Sequence, residues 1–346
     1  MSGIIGHTLY AVLGAKAAAA RRLPVVPVAE RHWGSYLCGA YLGSDIQTMP
    51  EAVCVDTGRE VGYATARLEK SPITGGSVRP FRLATPDGPL SPYKIFEEFY
   101  GRAHLVFGWT KRDAELRVPW DHLPDYFAAV VGDVFTHFGG DERSLAYACG
   151  WIVHVVSDSL IKSVQPGIDL HLLDGKYTPR NRPIQDLMCC HEIGEKELHL
   201  DWPALLASLA AAPVEAVQSH YMRVAEPRGE FAKLFADGWE PSRAPVLAAV
   251  LAENRRWCAI HAQDVMRDLA LTNGECSAAI RELTGLNYVQ MVALANEAHY
   301  RHALWQMAEA IAEMFAAVVQ RAPKLAALPA PEPGDWPELA RRWRKP

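Results

Sequence analysis

Two pairs of metal-binding residue types occur at a spacing of four: His154 with Asp158, and His191 with Glu195. On an α-helix, residues i and i+4 lie one turn apart on the same face. An imidazole and a carboxylate placed in this way can hold a divalent metal ion from a single element. Two such pairs in one chain favour a metal site over isolated structural histidines.

The residues around His154 predict that its helix is buried. Ile152, Val153, Val155 and Val156 flank the histidine. A histidine and an aspartate on such an apolar helix need a hydrogen-bonding partner or a metal ion, because burying an uncompensated charge is costly. A purely structural His–Asp pair remains the alternative interpretation for this helix taken alone.

The cysteines give little sign of either disulfides or a thiolate site. The chain has seven of them, scattered and odd in number, which is not typical of a disulfide framework. Cys189 and Cys190 directly precede His191, so thiolate ligation is conceivable. Adjacent side chains on an α-helix point in different directions, however, and the Cys-x2-Cys spacing of zinc sites is absent. Both are therefore interpreted as small core residues.

Composition bounds the class of protein. The chain has 346 residues, is 49% hydrophobic and carries a formal charge of −5. This length suffices for one large or two smaller domains. The mild acidity gives no overall attraction for nucleic acid, although a local basic patch remains possible.

The sequence has no uncharged apolar run of the ~18 residues that a membrane span requires. No signal peptide is recognised, so a cytoplasmic location is expected.

The hydrophobic pattern predicts an all-α protein. Helices are expected at 7–21, 30–42, 93–108, 124–138 and 142–164, with a further helix carrying His191 and Glu195. Residues 56–92 are rich in Gly, Pro, Thr and Ser and are expected to form loops. Three regions are predicted: a metal-binding catalytic region at 1–200, a helical bundle extension packed on it at 201–322, and a Pro-rich, basic tail at 323–346.

The potential ligands form an ordered series along the first 200 residues. His7 lies in the first predicted helix, Gly43-Ser44-Asp45 follows the second, His104 lies on the third, and the two His-x3-carboxylate pairs come next. Over roughly residues 5–198 this series resembles the zinc-dependent phospholipase C family, which is related to the plant and fungal single-strand-specific nucleases. The resemblance implies an all-helical fold that holds up to three zinc ions in a cleft.

The resemblance also implies a distribution of ligands among the ions. The first zinc would be held by Asp45, His104, His154 and Asp158. Asp158 would bridge to a second zinc, which His7 also holds. His191 and Glu195 would hold the third zinc together with one more histidine.

The sequence departs from the family pattern at two places. The family has a histidine six residues after the bridging aspartate, where this chain has Val164. His171 is the candidate to replace it. The family also binds zinc through an amino-terminal tryptophan, whereas this chain begins Met1-Ser2-Gly3. The expected site is therefore dinuclear or trinuclear.

A metal-dependent hydrolase of phosphoric esters is the function that these residues favour. Zinc lowers the pKa of bound water to about 7, and two ions ~3.5–4 Å apart can hold the attacking and phosphoryl oxygens together. Asp45 is the candidate general base. The expected substrate is a phospholipid, a nucleotide or a small phosphorylated metabolite.

Two alternatives remain open. The same ligands could load iron or manganese for oxidative chemistry in an all-helical scaffold. The protein could also be a non-catalytic helical binding protein with a vestigial site, for which the valine at the expected ligand position is the best support. The sequence leaves the oligomeric state undetermined.

Overall fold

The computed structural model describes residues 3–42, 52–56, 58, 76–86, 88–91, 120–161, 172, 180–211 and 244–331. Of these residues, 73% are helical. They include twelve α-helices and a single two-stranded sheet, which confirms the prediction of an all-α, multi-helix fold. The predicted helix at 93–108 and the residues of the tail after 331 lie outside the described part of the chain.

The first seven helices cover the part of the chain that carries the two His-x3-carboxylate pairs. They are α1 (Ile4–Ala20), α2 (Val25–Arg31), α3 (Trp33–Leu42), α4 (Leu123–His137), α5 (Glu142–Ile161), α6 (Asn181–Leu187) and α7 (Trp202–Ala211). A 3-10 turn (Trp120–His122) precedes α4, and a π-helix (Met188–Glu195) continues directly from α6.

The remaining helices are α8 (Ala244–Leu269), α9 (Ala278–Thr284), α10 (Tyr288–Glu297), α11 (Tyr300–Arg321) and α12 (Pro323–Ala326). The Ala/Leu-rich stretch from Tyr288 onward forms two helices, α10 and α11. The chain turns between them at His299, which has a left-handed backbone with φ 53°.

The chain divides into two compact units. One comprises Met1–Gly43, Val118–Val214 and Ala262–Pro346, and the other comprises Ser44–Arg117 and Glu215–His261. In the second unit, β1 (Ala52–Cys54) pairs with β2 (Val78–Pro80) in antiparallel register, and the rings of Phe81 and Trp257 meet edge to face. The potential ligands that the structure describes all belong to the first unit.

Helix α5 is the centre of the first unit, since it packs against α1, α2, α3, α4 and α11. Its closest neighbour is α3, and the two backbones approach at Gly39 and Gly150. A Cβ at Gly39 would collide with the carbonyl oxygen of Tyr147, and a Cβ at Gly150 would collide with that of Tyr36. Glycine is therefore required on both helices for this crossing.

Helix α1 is buried on nearly every side. Fourteen of its 17 residues are buried, and it packs against α3, α5 and α11. Its C-terminal end is tied to α11 by Arg21, which donates to the carboxylates of Glu309 and Glu313 at 2.7 and 3.3 Å. A helix enclosed in this way has no solvent face for a polar side chain. His7 and Thr8, which are both 0% exposed, therefore lie in the core.

Candidate metal centre

His7, His154 and Asp158 come together where the first turns of α1 meet the C-terminal half of α5. All three side chains are 0% exposed. His154 and Asp158 share a face of α5 because they are one turn apart, as the sequence predicted. His7 is brought to this face by the packing of α1 on α5.

Each imidazole faces its own oxygen of the Asp158 carboxylate. The Nε2 atom of His7 is 3.4 Å from Oδ1, and the Nε2 atom of His154 is 3.8 Å from Oδ2. The two rings are stacked, with centroids 4.6 Å apart and planes 17° from parallel. Since ligand lone pairs lie in the ring planes, two stacked rings do not converge on one ion. The arrangement instead suits two ions bridged by one carboxylate.

The orientation of the His154 ring is fixed by backbone. Its Nδ1 atom is 2.9 Å from the carbonyl oxygen of Ala40 on α3. A carbonyl oxygen only accepts, so Nδ1 carries a proton, and in the neutral ring the lone pair is on Nε2, which faces Asp158. Metal-ligating histidines are commonly held in this way by a carbonyl on the second nitrogen. The stacked Trp151 ring, 5.7 Å from His154, adds a further restraint.

The distance between His7 and Asp158 matches that between two ligands of a tetrahedral ion, and the 3.8 Å between His154 and Asp158 is slightly longer. Zinc bonds of about 2.0–2.2 Å at a tetrahedral angle separate two ligand atoms by about 3.3–3.5 Å. The distance from His7 to Asp158 is 3.4 Å. Within the described part of the chain, neither ring nitrogen of His7 makes a hydrogen bond. A buried donor or acceptor without a hydrogen bond costs about 1–3 kcal/mol, which a metal bond at Nε2 would offset. These residues therefore fit zinc.

A buried carboxylate near this cluster was missed by the sequence reasoning. Asp186 on α6 is 5% exposed, and its Oδ2 atom lies 3.7 Å from Nε of Arg182. Burial raises the pKa of Asp186, and the nearby positive charge of Arg182 opposes this shift. The sequence contains no signal for this residue, because its proximity to His7 depends on the packing of α6 against α1.

The second pair, His191 and Glu195, lies on the π-helix rather than on an α-helix. The i+5 hydrogen bonds of this element include Lys196 N to His191 O at 3.1 Å and Leu198 N to Ile193 O at 3.0 Å. Segments of π-helix often occur at functional sites. The Nδ1 atom of His191 is 2.7 Å from the Glu195 carboxylate.

The other nitrogen of His191 is also hydrogen-bonded. Its Nε2 atom lies 2.9 Å from the carbonyl oxygen of Leu269. Leu269 is the last residue of α8, where carbonyl groups lack partners within the helix. His191 therefore caps α8, and the cap fixes the direction in which Nδ1 points.

Cys190 joins this second pair. Its Sγ atom, a ring nitrogen of His191 and a carboxylate oxygen of Glu195 all lie within 4.8 Å of one another. Among the described residues, no other group of three His, Cys, Asp or Glu side chains meets that distance. Cys190 is buried, as the sequence predicted. The sequence reasoning did not group its thiol with His191 and Glu195, because it assumed that adjacent side chains diverge as on an α-helix.

The structure thus describes five of the predicted site residues in two clusters. His7, His154 and Asp158 form one cluster, and His191 and Glu195 belong to the other. Asp45, His104 and His171 lie outside the described residues, so their roles as ligands, and that of Asp45 as a base, stay predictions.

None of the described helices is both long enough and apolar enough to cross a membrane.

A scan against protein-family models, a search of curated proteins and a search of solved structures each found no match.

Proposed function

We propose that this protein is a metal-dependent hydrolase of phosphoric esters that uses a pair of zinc ions. The observation that carries the proposal is the buried Asp158 carboxylate, whose two oxygens face separate imidazoles at 3.4 and 3.8 Å. A carboxylate shared in this way is the core of many dinuclear hydrolytic sites. The ordered series of ligand types that resembles the zinc-dependent phospholipase C family is the second support.

The described residues would bind the zinc ions and fix their positions. His154 presents Nε2 because Ala40 holds its other nitrogen, and His7 presents Nε2 from α1. Asp158, whose two oxygens face the two imidazoles, would help to hold both ions. Paired zinc ions supply a water of lowered pKa and positive charge for the phosphoryl oxygens.

The proposed substrate class is a phosphomonoester or phosphodiester: a phospholipid headgroup, a nucleotide or a small phosphorylated metabolite. The net charge of −5 does not favour a nucleic-acid polymer, because such binding relies on phosphate neutralisation by basic residues. Asp45 is the proposed general base.

Metal quantification combined with a substrate screen tests this function. Protein purified without added metal is expected to carry zinc and to hydrolyse chromogenic phosphomonoesters or phosphodiesters. His154→Ala is expected to lower kcat/KM by more than about 100-fold. Loss of a residue that only orients a metal ligand already costs about 10–100-fold, and His154 is proposed as a ligand itself. The substitution should also lower the zinc content.

His32→Ala is the matched control, because His32 pairs with Glu142 at 3.1 Å and does not belong to the metal cluster. Its zinc content and activity should equal those of the wild type. Iron without zinc would favour the oxidative alternative. Folded protein with no metal and no esterase activity would favour the non-catalytic alternative. Either result would overturn the proposal.

A further inference from the structure

The thiol of Cys190 is the feature that the dinuclear cluster leaves unexplained. Cys190 is 0% exposed and His191 is 8% exposed, whereas the Glu195 side chain is 29% exposed. The three ligand atoms lie within 4.8 Å of one another. The group is thus closed by protein on the sulfur side and reaches solvent through the carboxylate.

The π-helix reduces the divergence between neighbouring side chains. An α-helix turns 100° per residue, so consecutive side chains diverge. A π-helix closes its hydrogen bonds at i+5, as Lys196 N does with His191 O, and therefore contains more residues per turn. The smaller rotation brings the side chains of Cys190 and His191 closer in direction, and the next turn places Glu195 beside them.

The His191 ring is already oriented for ligation. The Leu269 carbonyl can only accept a hydrogen bond, so the Nε2 atom of His191 carries a proton. The remaining nitrogen, Nδ1, faces Glu195. A carbonyl on the second nitrogen is the usual way to fix the tautomer of a metal-ligating histidine, and His154 shows the same arrangement with Ala40.

We propose that Cys190 Sγ, His191 Nδ1 and a Glu195 carboxylate oxygen bind a single zinc ion. A thiolate in the donor set selects zinc over magnesium, calcium or manganese. On binding, the thiol proton and the proton between His191 and Glu195 pass to water. The thiolate and the carboxylate then balance the charge of the ion. Three protein ligands leave the fourth tetrahedral position open on the side of Glu195.

This site does not depend on the proposed hydrolase function. Its donor set contains a sulfur atom, and the His7, His154 and Asp158 cluster contains none. Cobalt reports the difference, since cobalt bound to thiolate has an intense near-ultraviolet charge-transfer absorption that nitrogen and oxygen ligands do not give.

Cys189 provides a matched control for the experiment. It is the adjacent residue and is likewise 0% exposed, but its Sγ atom contacts the hydroxyl of Tyr300 at 3.4 Å. Cys190→Ser and Cys189→Ser therefore make the same chemical change at neighbouring buried positions. Only the first should affect the metal.

The test is cobalt titration of the full-length protein after metal removal. The wild type and Cys189→Ser are expected to develop the thiolate absorption, and Cys190→Ser is expected to lose it and to bind one ion fewer. Asp158→Asn should keep the absorption even if it abolishes hydrolysis, which separates this site from the dinuclear one. An absorption that survives in Cys190→Ser would overturn the proposal, as would its absence in folded wild-type protein.

A second measurement applies if Cys190→Ser does not fold. Wild-type protein is treated with an alkylating reagent under mild denaturation, with and without zinc, and the modified peptides are identified. Zinc is expected to protect Cys190 at least about tenfold more than Cys258, another buried cysteine. Equal protection of the two cysteines would overturn the proposal.

Discussion

At the scale of single residues, the decisive feature is how each histidine is held. His154 and His191 both give one nitrogen to a backbone carbonyl, at 2.9 Å in each case, and turn the other toward a carboxylate. Each orienting carbonyl belongs to another helix, so the direction of the lone pair depends on tertiary packing. A histidine that is held in this way loses little entropy when it binds a metal ion.

Asp158→Asn is expected to remove the part of the zinc stabilisation that comes from the His7, His154 and Asp158 cluster, and to leave the part that comes from the Cys190 site. At a zinc concentration 100-fold above Kd, binding to the native state adds about 2.7 kcal/mol to the free energy of unfolding. An amide is a poor metal ligand and cannot bridge two ions with negative charge. Thermal unfolding with and without zinc measures the difference.

Asp201→Asn makes the same chemical change away from the site. The carboxylate of Asp201 accepts from the Ala204 backbone N–H at 3.2 Å near the start of α7, and asparagine caps helices equally well. This variant should keep the full zinc-dependent shift. A zinc-dependent shift of normal size in Asp158→Asn would contradict the assignment of Asp158 as a ligand.

At the scale of elements, the crossing of α3 and α5 positions the site. Gly39 and Gly150 allow the two backbones to touch. Residues that follow each glycine are thereby brought into contact across the crossing. Ala40 follows Gly39, and His154 is one turn after Gly150. The carbonyl of Ala40 reaches His154 only because the helices approach this closely.

Gly150→Ala is expected to lower the free energy of unfolding by about 3 kcal/mol or more, because the added methyl group collides with the Tyr36 carbonyl. If the variant folds, the helices must separate, and zinc affinity should fall with the loss of the contact from His154 to Ala40. Urea denaturation measures the stability, and zinc titration measures the affinity.

Gly132→Ala is the control for this substitution. Gly132 lies inside α4, and a Cβ there would meet no atom within 4 Å. Alanine is the better helix former, so this variant should gain about 0.5–1 kcal/mol. Equal stability of the two variants would contradict the role given to the crossing.

At the scale of the whole molecule, both clusters join segments that are far apart in sequence. The first joins α1 to α5, and the second joins the π-helix to the end of α8. Metal binding at such places adds a further link between elements that apolar packing and a few hydrogen bonds already hold together. Binding free energy then contributes directly to the stability of the fold.

Metal removal is expected to loosen these segments selectively. After treatment with a chelator, amide hydrogen exchange should accelerate in α1, α5 and the π-helix. It should change little in α10, which is held by its own capping box between Asn287 and Gln290. Mass spectrometry of the exchanged peptides makes the comparison. A uniform change along the chain would indicate a purely global effect of the metal.

The sequence by itself determined the all-α class and the pairing of His154 with Asp158, because hydrophobic periodicity and the i, i+4 relation are local properties of a helix. The prediction for His191 and Glu195 was correct about their proximity but not about the type of helix. Only the tertiary structure decided that His7 faces Asp158, and only the structure of the π-helix showed that the Cys190 thiol lies with the ligand atoms of His191 and Glu195. These contacts depend on packing between distant segments and on one altered hydrogen-bond register, and neither leaves a periodic signal in the sequence.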